Sequence, residues 1–415
     1  MQTHNRLMPG SLAERGVAAI LFLYPILLLS VRGGVSGLFF LLAAISMFLM
    51  FRDKANRRAD SYGIAVGVAM ASAVAAILLS QIYHQNFTPQ PYDAASRFLL
   101  AIPIFMILRN TRPGTLSVVA YGFPLGAIAA LITTAIHPVE VDGRVTSHFL
   151  NLIHFGDLAL MLGFLSFFSI NWVKKDSLPV RLLKVAGLAA GLYLAIRTGS
   201  RGGWAAIPAV ALIWVVWKSP SWKSIVLTLL ALLAAGVIGY YAVDMFHQRL
   251  DALYSDITGY SQGNRDTSAG LRFQIWKGAL HLFMENPVFG VGPEEFKNAI
   301  SSLSGTGLIS AEAIEAGKAE VHNEIISKTV NLGVFGAASI LSIHLVPLYV
   351  FARCLKSASR QARTAAWLGI CLVTGFLIFG LTVEIFDLKM TATFYALTVA
   401  VLLAAATNRQ DPSGE

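Results

Sequence analysis

A base and a set of cations are the groups in this chain that point to chemistry. His322 and Asn323 stand at the mouth of a long apolar stretch, within AEVHNEIISKTVNLGVFG (319–336). A histidine at a helix start feels the positive end of the backbone dipole, which disfavours imidazolium and keeps the ring neutral. A neutral imidazole near pH 7 accepts a proton, so His322 is the candidate general base. Arg197 and Arg201 flank a small Gly-Ser turn in RTGSRGGW (197–204), and Arg265 and Arg272 lie in GNRDTSAGLRFQIWKGAL (263–280). Guanidinium presents a planar fork of donors that matches phosphate oxygens, often two at a time. Four converging arginines would therefore hold a diphosphate without a metal. Glu384 and Asp387 share the short acidic loop VEIFDLKM (383–390); they are candidates for binding acceptor hydroxyls or steadying His322. Asn323 and Gln274 are placed in the same supporting role. No DxD carboxylate pair and no HExxH motif occurs. His148 and His154, six apart, are poorly spaced for joint metal binding from one helix face and are read as structural. No metal or other cofactor is expected. Arg144 and Arg249 are read as ordinary solvated side chains.

What must position these residues is a membrane scaffold. The chain is 55% hydrophobic and 13% charged, outside the balance of a soluble domain. Apolar runs of about 17–25 residues, the length that crosses a bilayer as helix, recur from end to end. They predict an all-α polytopic protein of about twelve spans: 16–31, 34–51, 62–82, 95–108, 115–136, 152–173, 185–197, 204–217, 224–243, 322–352, 364–383 and 391–406. The first run is followed at once by a second, so it reads as an uncleaved helix rather than a signal peptide. Lysines and arginines cluster in alternate loops (52–58, 109–112, 174–184, 218–223 and 353–363), which puts those loops and both termini in the cytoplasm. In such a chain the formal charge of +9 reports topology rather than nucleic-acid binding. The segments 83–92, 137–151, 197–203, 244–321 and 384–390 then face the opposite side, together with His322. Three regions result: 1–243 with spans one to nine, a large hydrophilic loop at 244–321, and 322–415 with the last three spans and a polar tail. Within the loop, Thr267 or Ser268 caps a helix with an apolar stripe at Leu271, Ile275, Ala279 and Phe283, ending before Asn286-Pro287. Pro293 suits the first turn of a second short helix. Trp276 and Phe296 are read as interfacial aromatics. Charges inside the spans are almost absent, and Cys354 and Cys371 form no disulfide or metal pattern.

In order, SRGG (200–203), RFQIWKGAL, NPVFGVGPEEF, and HN followed by GVFG resemble the O-antigen ligase and polymerase superfamily of bacterial inner-membrane glycosyltransferases. The resemblance covers about 197–340. It implies a GT-C-type fold with its large periplasmic loop partly helical. It also implies a glycan donor on undecaprenyl diphosphate, used at the periplasmic face without a metal. The family's histidine falls on His322, its turn arginine on Arg201, and its loop arginines on Arg272 and Arg265. Polymerases of the superfamily tend to carry two large arginine-bearing outer loops, and this chain has one. A ligase is therefore expected, with lipid A-core as acceptor and membrane lipids around it. A polymerase, a protein O-oligosaccharyltransferase and a non-catalytic transporter of lipid-linked glycan remain the alternatives. A site at one membrane face rather than at mid-depth argues against the transporter.

Overall fold

The computed structural model describes residues 12–52, 60–172, 174–219 and 221–409. The basic cluster at 53–58 and the tail beyond Arg409 lie outside the described residues. Eighteen helices follow in order. The first six are α1 (Leu12–Ser30), α2 (Gly34–Arg52), α3 (Ser61–His84), α4 (Tyr92–Leu108), α5 (Pro113–Leu116) and α6 (Val119–Ile136). Then come α7 (Leu152–Phe168), α8 (Leu178–Arg197), α9 (Arg201–Trp204), α10 (Ala206–Lys218), α11 (Trp222–Ala242) and α12 (Asp244–Ser261). The last six are α13 (Ser268–Glu285), α14 (Phe296–Ala299), α15 (Ala311–Gly317), α16 (Glu324–Cys354), α17 (Arg360–Gly380) and α18 (Lys389–Ala406).

Among the described residues, nine helices are long and apolar enough to cross a membrane. Their outer faces demand lipid. No residue of α11 is buried, and Leu227, Leu230, Leu233 and Ile238 on it are each more than half exposed. In water such a surface would be a severe aggregation liability. The chain is a multi-pass membrane protein. Each of the twelve predicted spans falls on a helix, but α4 and α7 have 17 residues and α10 has 13. The core is built by α18, in which all but the first two residues are buried, and by α17, α7 and α1 around it.

Three features differ from the sequence reading. The predicted span at 185–197 starts earlier, at Leu178, because Lys184 is accommodated inside the helix: its Nζ meets Asp176 Oδ2 at 2.9 Å and the Ser169 carbonyl at 2.8 Å. Asp157, Glu324 and Lys328 likewise lie within helices, so the apolar elements carry more charge than the sequence suggested. Residues 137–151 hold a small antiparallel hairpin, β1 (Val139–Val141) with β2 (Arg144–Thr146). Its turn residues Asp142 and Gly143 both have positive φ (52° and 69°), the conformation that Asp-Gly favours in a two-residue hairpin.

The hydrophilic segment before α16 has its own small core. Thr267 caps α13, its side chain accepting from Gly270 N at 3.1 Å, and Ile275, Ala279 and Leu282 are buried against Phe296, Ile300 and Val321. The second helix begins at Phe296 instead of Pro293, which sits in a turn. α16 is broken at Gly333 (φ 66°, ψ −152°). The turn 287–292 fills the break: Val291 N and Gly292 N donate to the carbonyls of Val330 and Asn331, and Val334 N donates to that of Pro287.

Candidate active site

His322 sits two residues before α16, in a strained turn. Its φ is +59°, a region that side-chain-bearing residues seldom occupy. The surroundings over-determine that turn. Asn323 is the helix cap, its side chain accepting from Ile326 N at 3.1 Å. Just upstream, Val321 is held from both sides. Its N–H donates to Glu384 Oε1 at 2.5 Å and its carbonyl accepts from Trp276 Nε1 at 3.0 Å. Glu384 also accepts from Ser327 Oγ at 2.6 Å, while its own N–H donates to Glu320 Oε1 at 2.6 Å. Glu324 accepts from Phe386 N at 2.9 Å. The loop between α17 and α18 is thus latched to the histidine turn by three carboxylates.

Burial, then the positive charge of Arg272, push the His322 pKa down to about 4. The ring is neutral at pH 7, as the sequence suggested, but burial and a guanidinium are the cause. Glu320 Oε2 lies 3.4 Å from His322 Nδ1. Burial raises the Glu320 carboxyl above its ordinary value.

Four arginines gather beside this turn, and they are not the four that the sequence selected. Arg201, at the start of α9, donates from Nη2 to Asp256 Oδ2 on α12 at 3.1 Å, and its buried Nη1 has no hydrogen-bond partner among the described residues. Arg272 on α13 feels the Arg201 charge. Arg144, from the hairpin, donates through Nε to the Thr198 carbonyl at 2.7 Å. Arg249, from α12, donates through Nε to the Gly199 carbonyl at 3.0 Å. Burial first, with the Arg201 charge among the further causes, lowers the pKa of Arg144, Arg249 and Arg272. Gly199 (φ +61°) makes the approach possible, since a Cβ there would meet Arg144 Nε, Met245 Sδ and Arg249 Cδ at 3.1–3.3 Å. Gly202 and Gly203 press the same turn against Thr382 and Asp157. A concentrated positive field of this kind, one step from a neutral imidazole, fits a polyanion being attacked or expelled.

Comparison with known proteins bears on this arrangement. Residues 185–341 match the family model described as O-antigen ligase. An O-antigen ligase of Escherichia coli K12 is 27% identical over 201 residues, 46% of this chain and 45% of that protein. Over this segment the chain is similar to the O-antigen ligase family. It is also similar to an uncharacterised protein of Haemophilus influenzae, 25% identical over 296 residues, 69% of this chain and 72% of that protein.

The O-antigen ligase segment contains the glycine turn, Arg201, Arg249, Arg272, Glu320 and His322, whereas Arg144 and Glu384 come from outside it. Arg197 does not join the cluster; it faces Glu140 at 3.0 Å, both side chains substantially exposed. Arg265 is exposed at the turn before α13, where its carbonyl accepts from Gln274 Nε2 at 2.9 Å. Gln274 also accepts from Ser310 N at 2.8 Å, so it clamps two loops together. Asp387 pairs with Lys328 at 2.5 Å. His154 is buried, its Nδ1 2.7 Å from Asn151 Oδ1.

Beside the histidine turn is a cavity of about 760 Å³, which His322 itself does not line. Glu320, Val321 and Glu324 line it, with Lys328 and Asp387, and none of the four arginines does. Phe98, Ile340 and Phe386 supply apolar wall, and Asp93, Glu294, Lys297, Lys318 and Lys389 add further charge. The sequence reading missed Arg144, Arg249 and Glu320. The Asp-Gly turn that aims Arg144 was a visible signal. Glu320 stood two residues from the proposed base.

Proposed function

We propose that this protein is an inverting, metal-independent glycosyltransferase of lipopolysaccharide assembly. It moves an O-antigen polysaccharide from undecaprenyl diphosphate to lipid A-core. The supporting observation is the cluster of Arg144, Arg201, Arg249 and Arg272, the last acting on a neutral His322, whose chain neighbours Glu320 and Val321 line a cavity. Attack in line needs the acceptor and the leaving group on opposite faces of the anomeric carbon. The arginines take the diphosphate and the cavity admits the acceptor. His322 removes the proton of the acceptor hydroxyl as its oxygen bonds to the anomeric carbon. The bond from that carbon to the phosphate oxygen breaks, and its electron pair leaves with the diphosphate. The guanidinium groups stabilise that charge. The proton passes from His322 to water after release. The reading further places a GT-C-type scaffold of twelve spans in the bacterial inner membrane, both termini in the cytoplasm and the site facing the periplasm.

The test is transfer in lipid nanodiscs with chelator present throughout. Purified protein receives undecaprenyl-diphosphate glycan and lipid A-core. Glycan appearing on lipid A-core, and lost with His322→Ala, is the expected result. Glycan on a pilin-type protein acceptor instead, or lengthened donor chains, would move the assignment to an oligosaccharyltransferase or a polymerase. Donor binding with no transfer to any acceptor would leave only transport.

A further inference from the structure

His322 has two ring nitrogens in different surroundings, and the difference assigns their roles. Nδ1 is buried, with no hydrogen bond to any described residue. A substrate hydroxyl cannot reach it. The one carboxylate beside it is Glu320, 3.4 Å away through Oε2. The opposite oxygen, Oε1, is occupied by the N–H of Glu384 at 2.6 Å. Glu384 is itself fixed by Val321 N and Ser327 Oγ. Other charged groups facing this corner are Arg272 from α13 and Asp387 from the loop before α18.

We infer that Glu320 is the positioning residue of the base: it accepts the Nδ1–H of His322, leaves the Nε2 lone pair toward the acceptor, and steadies the imidazolium formed during transfer. The inference rests on His322 being the base. A small turn of the ring closes the 3.4 Å gap to hydrogen-bond length, and such contacts in unliganded sites commonly tighten when substrate binds. The identity of the partner decides which nitrogen carries the proton. The latch from Glu384 decides which oxygen of Glu320 is left to do it. The left-handed φ of His322 is then explained, since the turn brings a buried Nδ1 beside Glu320.

This assignment makes an unusual ordering of variants. In Glu320→Gln the amide oxygen keeps the hydrogen bond from Glu384 N, so the amide NH2 is what faces Nδ1. It donates to Nδ1 and forces the proton onto Nε2, the wrong tautomer. Glu320→Ala merely frees the ring. Glu320→Gln is therefore expected to be the slower enzyme, with kcat reduced by about a hundredfold or more and donor binding unchanged. A role in holding the loop alone would give the reverse, because glutamine preserves the latch and alanine abolishes it. The second readout needs no activity. With 15N-histidine in nanodiscs, His322 should be protonated on Nδ1 in the wild type and on Nε2 in Glu320→Gln. Equal tautomers in both proteins, or a glutamine variant as active as alanine or more so, overturns the inference. If His322→Ala itself retains transfer, the base reading fails, while the nitrogen spectra still report whether the pair exists.

Discussion

At His322 the depressed pKa has a direction that matters for activity and for folding. Its folded value of about 4 lies below the ordinary 6.5. The unfolded chain therefore binds the proton more readily between those values, and the associated stability, full above pH 6.5, is lost as pH falls toward 4. For catalysis, the free protein keeps its base available well into acid. Occupation of the arginine cluster by a polyanion offsets Arg272, so the His322 pKa should rise toward its ordinary value. An NMR titration with and without inorganic pyrophosphate checks this, and an unchanged pKa would sink the coupling between the two sites. The arginines themselves separate cleanly. Arg144→Ala and Arg249→Ala should each weaken donor binding by about tenfold or more, whereas Arg197→Ala and Arg265→Ala should stay within about threefold of wild type. Donor titrations on the four variants would show it. His322, Arg201 and Arg272 were legible because their neighbours form recognisable strings. Arg144 and Arg249 were not, because each reaches the turn from a different element and gains its place only through a carbonyl of Thr198 or Gly199.

Among the elements, the break in α16 explains why two distant glycine-rich strings belong together. A helix continuing through Gly333 would leave no room for the turn at 287–292, and the carbonyls of Val330 and Asn331 would be used within the helix instead of by Val291 and Gly292. Gly333 has φ 66° and ψ −152°, a conformation essentially reserved for glycine, and a Cβ there would overlap the Val288 carbonyl. Gly333→Ala should therefore cost at least about 1–3 kcal/mol of stability. Thermal unfolding in detergent, compared with Val334→Ala nearby, measures it; an unchanged midpoint would mean that the turn and the break are independent. The cap at Thr267 and the end of α13 could be read from the sequence, since both rest on local chemistry. α12 could not. None of its residues is buried, and its apolar spacing at Phe246, Leu250, Leu253 and Ile257 lay unread inside a hydrophilic segment, yet it supplies Arg249 and Asp256.

For the molecule as a whole, the number of crossings turns on the short helices. Composition marked the membrane class at once, because apolar runs are a one-dimensional signal. Packing is not, and it decides what the short helices do. α10 has 13 residues and would span only about 20 Å as an isolated helix, less than a bilayer core. α9 leads into it from Arg201, and α11 follows after a short turn. If α9–α10 and α11 both cross, the glycine turn and α12 lie on one side with the Asp142 hairpin, and Ser219 lies on the other with Arg112 and Ala358. If α9–α10 only dips into the membrane, Ser219 and the Asp142 hairpin share a side. Single cysteines decide between these. Cys354 and Cys371 are buried and would first be replaced by serine or alanine. New cysteines at the exposed positions Gln85, Asp142 and Gln262 should react in intact cells with a maleimide that enters the periplasm but does not cross the inner membrane. Those at Arg112, Ser219 and Ala358 should react only after the inner membrane is opened. Labelling of Ser219→Cys together with Asp142→Cys would refute the twelve-span count. It would also require α11, an apolar helix of 21 residues, to place Arg249 beside the glycine turn without crossing, which is costly.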